Sequence, residues 1–184
     1  MTAPERIETQ ADLVAGAAVL VTHDARFGPI LDAVGALPLR RRPDGFGALR
    51  AAIVGQQVST AAAAAIVGRL DAAGLDDEAA ILAAEDAALH ACGLSRPKAR
   101  ALRALAEARL DYAALRAAPT ETVVQTLTAQ RGIGRWTAEI YAKFALGHAD
   151  VFAAGDLALQ VAAERAFGLP GRPAERELRA LQER

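Results

Sequence analysis

Residues 131–137 read RGIGRWT, that is Arg131, Gly132, Ile133, Gly134, Arg135, Trp136 and Thr137. Two glycines flank one aliphatic residue, and the chain's single tryptophan follows close behind. A helical glycine is about 1 kcal/mol less favourable than alanine, so two of them in a chain rich in alanine and leucine mark a turn. The flanking TLTA and AEIYAKFALG have helical character, which makes the stretch a helix–turn–helix junction. Gly132 and Gly134 both allow positive φ, and Ile133 between them can point inward as an anchor. The turn feeds a helix N-terminus, where unpaired backbone N–H groups meet the positive end of the helix dipole. Such an end can hold an anion. An ordinary turn with a glycine C-cap would look the same locally, so the surrounding residues must decide.

The helical spacing continues outward in both directions. Apolar residues recur at three and four, and period-two runs of β-branched residues are absent. Helices are predicted at roughly 9–21, 27–36, 45–54, 58–73, 78–89, 97–109, 119–129, 134–147, 156–167 and 173–182. Ser59 and Ser95 stand where N-caps belong, and Pro119 with Thr120 opens a further helix. No long linker and no fixed repeat interrupts the pattern, so the expectation is one all-α domain over 1–184.

Composition removes several function classes. The 184 residues carry a net charge of -1, so no global basic signature demands nucleic acid, and only a local patch could supply one. A lone cysteine, Cys92, excludes an intrachain disulfide framework and cysteine-ligated clusters. His23, His90 and His148 have no metal-ligand spacing, so no metal site is expected. The run AAAAAIVGRL is too short to span a bilayer, and charged residues interrupt the first dozen positions. A cytoplasmic, monomeric protein without membrane association is expected. Arginine supplies all but Lys98 and Lys143 of the 21 basic residues, a bias better ascribed to GC-rich coding than to phosphate binding. Charge is nonetheless uneven. Asp71, Asp76, Asp77, Glu78, Glu85 and Asp86 precede a basic run of Arg96, Lys98, Arg100, Arg103, Arg109 and Arg116. Arg131, Arg135 and Lys143 then surround the glycine turn.

Four blocks, in order, carry a family resemblance. They are AIVGQQVSTAAAAAIVGRL, CGLSRPKARALRALA, RGIGRWTAEIYAKFALG and DVFAAGDLAL. Together they resemble the helix-hairpin-helix DNA glycosylase superfamily, in its DNA-3-methyladenine glycosylase II branch, from about His23 to Arg179. The resemblance implies two helical lobes with the active-site cleft between them, and a hairpin (about 119–148) that grips one strand of damaged double-stranded DNA through backbone amides. On this chain those are the amides around Gly132 and Gly134, with Arg135 and Thr137 beside them. The family implies no cofactor beyond a monovalent cation on hairpin carbonyls. Its catalytic aspartate matches Asp156. A helix from Gly134 to Gly147 travels roughly 21 Å, and the eight residues to Asp156 can return about 26 Å, so Asp156 can reach back beside Trp136. Asp156 also suits a plain N-cap, and the two roles are compatible.

The implied chemistry is hydrolysis of an N-glycosidic bond after base flipping. Trp136 stands where strand-cutting relatives hold a lysine nucleophile, so a Schiff-base mechanism lacks its amine. Trp136, Ile140 and Tyr141 are the expected base pocket. In GQQVS, Gln57 matches the family's wedge, with Gln56 and Ser59 as further DNA contacts. Gln56 and Gln57 serve equally well as amides that satisfy a helix end.

The departures are specific. Gln130 and Arg131 replace the usual Leu-Pro before the first glycine, and Arg184 ends the chain where relatives usually add aromatic pocket helices. The small N-terminal β domain that some relatives carry is not expected within these residues. Besides an alkylpurine glycosylase, two readings stay open, a glycosylase for mismatched, deaminated or oxidised bases and a non-catalytic DNA-binding module.

Overall fold

The computed structural model describes residues 5–182. Among them the regular structure is helical: α1 (Gln10–His23), α2 (Phe27–Val34), α3 (Phe46–Gly55), α4 (Thr60–Ala72), α5 (Glu78–Ala83), α6 (Asp86–Ala91), α7 (Arg96–Ala108), α8 (Tyr112–Ala117), α9 (Thr120–Thr128), α10 (Arg135–Phe144), α11 (Leu157–Phe167) and α12 (Glu175–Gln182). The all-α expectation holds. The chain forms two compact units, one of Met1–Arg41 with Gly147–Arg184, the other of Arg42–Leu146. The second is thus an insertion in the first.

The inserted unit is built on α3, which packs against α4, α7 and α10. Leu49, Ile53 and Val54 of α3, Leu70 of α4, Leu102 and Leu105 of α7 and Leu127 of α9 are fully or almost fully buried. Each fully buried leucine is worth roughly 1.5–3 kcal/mol, so this centre fixes where the ends of α3, α7 and α10 emerge. Arg50 is buried with it, donating to the Leu75 carbonyl (2.7 Å) and pairing with Asp71. The unit's chain ends are pinned together where the Arg42 amide donates to the Phe144 carbonyl at 2.9 Å.

Two helices differ from the sequence expectation. The stretch predicted as 78–89 is broken at Ala84–Glu85, both extended. Arg103 of α7 explains the break: its guanidinium donates to the carbonyls of Ile81 (3.1 Å) and Ala84 (2.6 Å) and pairs with Asp86 (2.9 Å). A tertiary arginine thereby satisfies the end of α5 in place of another helical turn. The segment after Arg109, read as connection, contains α8, whose N-cap Asp111 accepts from the Ala114 amide at 2.9 Å. Ser95 takes the N-cap position of α7 but makes no capping hydrogen bond. Ser59 does cap α4, through Ala62 N at 3.2 Å.

In the discontinuous unit, Ala154, Ala163 and Leu178 form a small core joined by Phe152, Leu159 and Phe167. Phe27 meets Phe167 edge to face with centroids 5.9 Å apart, and Arg26 lies 4.5 Å over the same ring. A short strap closes the unit: the Ile7 amide donates to the Gly147 carbonyl (2.7 Å), and the Ala149 amide to the Glu5 carbonyl (3.2 Å). His148 is buried within this strap, across a bridge from Arg6. Burial, with Arg6 and Arg41 adding like charge, holds its pKa below the ordinary 6.5. The unfolded chain therefore binds the proton first, so stability is full above about pH 6.5 and declines as pH falls below it. Denaturant midpoints should drop between about pH 7.5 and about pH 5.5, and His148→Asn should remove part of that slope. An unchanged slope in the variant would show that His148 is not the responsible group.

Candidate DNA-facing hairpin and carboxylate site

The hairpin comprises α9, the turn of residues 129–134 and α10. Gln130 begins the turn, its carbonyl accepting from the Ile133 amide at 3.2 Å. Ile133 points inward and is buried, as its sequence position implies. Gly132 has φ +81 and lies against α7, where an added β-carbon would stand 2.4 Å from the Ala101 β-carbon. No other residue fits there. Gly134 does not use that freedom. Its φ is -87, it is the extended N-cap of α10, and a β-carbon would meet nothing within 4 Å. Only one of the two glycines is therefore required by backbone conformation and packing.

The first intrahelical bond of α10 joins the Ala138 amide to the Gly134 carbonyl at 3.1 Å. The amides of Gly134 and Arg135 precede it and have no acceptor among the described residues, and both residues are exposed. Together with the helix dipole they offer a positive helix end with open donors.

Several side chains read as DNA contacts are turned to other work. Arg135 pairs with Glu139 on its own helix (2.9 Å) and with Glu121 on α9 (3.4 Å), bracing the two arms of the hairpin. Thr137 is 2 % exposed, so it does not face solvent. Gln56, the C-cap of α3, donates from Nε2 to the Gly132 carbonyl (3.1 Å) and to Thr137 Oγ1 (3.0 Å). Its side-chain nitrogen thus ties the end of α3 to the hairpin. The exposed cation of the turn is Arg131, which has no ion pair among the described residues. Sequence reasoning grouped Arg131 with the basic cluster but did not single it out. The signal was present, since Arg135 has a glutamate four residues on and Arg131 has none.

Gln57 is exposed and adopts φ 57, one of only two non-glycine residues at positive φ among those described. This conformation costs roughly 1–2 kcal/mol. Its neighbours supply the support: Lys98 donates to the Val54 carbonyl at 2.7 Å, and Ser59 caps α4 just beyond. Burial lowers the Lys98 pKa from its ordinary value.

Trp136 and Ile140, one turn apart on α10, are half-buried. Tyr141 is not part of any exposed wall. It is 2 % exposed, and its hydroxyl accepts from the Gly45 amide at 3.2 Å. Burial raises its pKa, and the phenol serves the core of the inserted unit.

Asp156 belongs to the discontinuous unit. It is the N-cap of α11, and its Oδ1 accepts from the amides of Ala158 (2.8 Å) and Leu159 (3.4 Å). The loop before it is fixed by the Asp156 amide to the Ala153 carbonyl (2.8 Å) and by Gln160 Nε2 to the Ala154 carbonyl (3.0 Å). Gly155 lies against Glu175, whose Oε2 would stand 3.2 Å from an added β-carbon. The carboxylate is thus partly exposed but rigidly presented. No group of three or more His, Cys, Asp or Glu side chains among the described residues could hold a metal ion.

The fold is shared with known proteins. Residues 51–184 match the family described as HhH-GPD superfamily base excision DNA repair protein. An alkylbase DNA glycosidase-like protein of Schizosaccharomyces pombe is 27% identical over 174 residues, covering 88% of this chain and 82% of that protein. A crystal structure of a DNA-3-methyladenine glycosidase from Bacillus halodurans matches with a TM-score of 0.75 at 34% identity, over 89% of this chain and 78% of the other. A Schizosaccharomyces pombe 3-methyladenine DNA glycosylase in complex with abasic DNA matches with a TM-score of 0.80 at 25% identity, over 91% and 87%.

The two glycines of the turn should respond differently to substitution. Gly132→Ala should lower the unfolding free energy by about 2–4 kcal/mol, from the left-handed backbone and the overlap with Ala101. Gly134→Ala should lower it by no more than about 1 kcal/mol, because alanine is a poorer N-cap than glycine. Chemical denaturation of both variants checks this, and equal losses would contradict the assigned backbone.

Proposed function

The chain belongs to the HhH-GPD superfamily of base excision DNA repair proteins, and from that premise we propose that it is a monofunctional DNA N-glycosylase of the 3-methyladenine glycosylase II type. Its substrates are alkylated purines of the 3-methyladenine and 7-methylguanine kind in double-stranded DNA. The observation that carries this reading is Asp156, a capping carboxylate held rigid in the segment DVFAAGDLAL. The names of the similar proteins support the substrate class.

The hairpin takes a backbone phosphate on the amides of Gly134 and Arg135, with Arg131 adding charge. Gln57 enters the stack and the damaged nucleotide turns out. Purines methylated at N3 or N7 carry positive charge, so the bond between C1′ and the base breaks with both electrons leaving on the purine. That neutralises the leaving group without a strong general acid. The sugar becomes an oxocarbenium ion, as in glycoside hydrolysis. Asp156 stabilises this cation and accepts a proton from the water that adds to C1′. The Trp136 indole favours a cationic base by roughly 0.5–2 kcal/mol, a modest selectivity beside the lability of the base itself. A monovalent cation at the turn would use neutral oxygen donors; the carbonyls of Gln130 and Gly132 accept from the Ile133 amide and from Gln56 Nε2, and each has a second lone pair. It would add positive charge for the phosphate.

Asp156→Asn preserves the cap, because asparagine caps as well as aspartate. It should keep the fold and duplex affinity while slowing base release by about a hundredfold or more. Single-turnover assays on methylated duplex, scored as alkali-labile sites, measure this. Near-normal release would remove Asp156 from the mechanism.

Strand cleavage provides a second test. Elimination at the sugar needs an amine at C1′, and Trp136 occupies the first turn of α10 where lysine would stand. Lys143 lies seven residues further along α10, roughly 10 Å by helical rise. The product strand should stay intact until alkali is added, and borohydride should trap no protein–DNA adduct. A trapped adduct that disappears in Lys143→Ala would make the protein bifunctional.

A further inference from the structure

Gln56 and Gln57 are neighbours with opposite orientations. Gln57 is exposed at positive φ on the tip of the loop between α3 and α4. Gln56 binds the hairpin at two points, the Gly132 carbonyl in the turn (3.1 Å) and Thr137 Oγ1 in the first turn of α10 (3.0 Å). Helix α7 braces the same junction from below. Lys98 holds the Val54 carbonyl at the loop's base (2.7 Å), and three residues later Ala101 sets the closest approach of Gly132. The turn that meets phosphate and the loop that carries Gln57 therefore share one amide side chain and one supporting helix.

We propose that Gln56 is a positioning residue that couples phosphate capture by the hairpin to wedge insertion by Gln57. Engagement of the strand by the turn fixes Gly132 and Thr137. Through Gln56 Nε2 it also fixes the peptide that leads into Gln57. The left-handed conformation of Gln57 is already present without DNA, and seating the hairpin holds it there against the load of the stack. The inference rests on the glycosylase reading for the use of Gln57 as a wedge, and it concerns a residue whose side-chain nitrogen bonds within the protein.

The test needs no base release. A duplex with 2-aminopurine opposite a tetrahydrofuran abasic site reports disturbance of the stack by a rise in fluorescence, and an undamaged duplex reports the hairpin's grip. Circular dichroism verifies folding. Gln57→Ala should lose most of the fluorescence rise. Gln56→Glu keeps the shape of the side chain but has no donor for the Gly132 carbonyl. It should weaken undamaged-duplex binding by about tenfold and should also lose most of the rise at saturating protein. Thr137→Val removes one acceptor of the two and should fall between wild type and Gln56→Glu on both scales, which keeps the test open if Gln56→Glu fails to fold. A side chain that merely supports packing would lower affinity yet give the full rise once the duplex is saturated. A full rise in Gln56→Glu at saturation, wild-type values in Thr137→Val, or no rise with the wild-type protein would each overturn the coupling. A wild-type protein that gives the rise but excises no alkylated base would instead overturn the glycosylase reading and leave the coupling intact.

Discussion

The contact between Gly132 and Ala101 is the constraint from which the hairpin's geometry follows. A β-carbon at Gly132 would stand 2.4 Å from that of Ala101, so the turn rests on α7 only because residue 132 has none. Its position in turn places the Gly132 carbonyl where Gln56 reaches it, buries Ile133, and aims the first amides of α10 outward. Interiors are close-packed, so a shift of even one methyl group at such a junction is felt. The anion-binding end of α10 is thus a packing consequence before it is an electrostatic one.

Charge is arranged with similar economy. Much of the uneven charge in the sequence is consumed by structure: Arg103 satisfies carbonyls of α5, Arg116 pairs with Asp44, Arg50 with Asp71, and Arg135 with two glutamates. Arg131 on the turn, and Arg96 and Arg100 on α7, remain exposed. A chain of net charge -1 can therefore carry a small basic face without a basic total.

What could be read from the sequence was the part governed by local rules. The helical class, the turn at Gly132, the inward Ile133 and the capping position of Asp156 all follow from spacing, glycine conformation and cap chemistry, and the structure has each of them. What could not be read depends on partners distant in sequence. Thr137 and Gln56 look like free polar groups until they are seen 3.0 Å from one another, 81 positions apart in the chain. Tyr141 reads as a pocket aromatic until Gly45 is found on its hydroxyl. The break between α5 and α6 depends on an arginine that follows in α7. Arg135 and α8 were legible and were missed. An i,i+4 glutamate announces the first, and an aspartate before a short alanine-rich run announces the second.

A carboxylate held by backbone amides and a hairpin whose leading amides are open amount to a repair enzyme only if damaged bases leave. The most direct measurement is chromatographic identification of the bases released from DNA treated with a methylating agent, compared with spontaneous loss under the same conditions. The account predicts free 3-methyladenine and 7-methylguanine well above the spontaneous rate, with unmodified bases retained. Release no faster than the spontaneous rate for every methylated purine would contradict it.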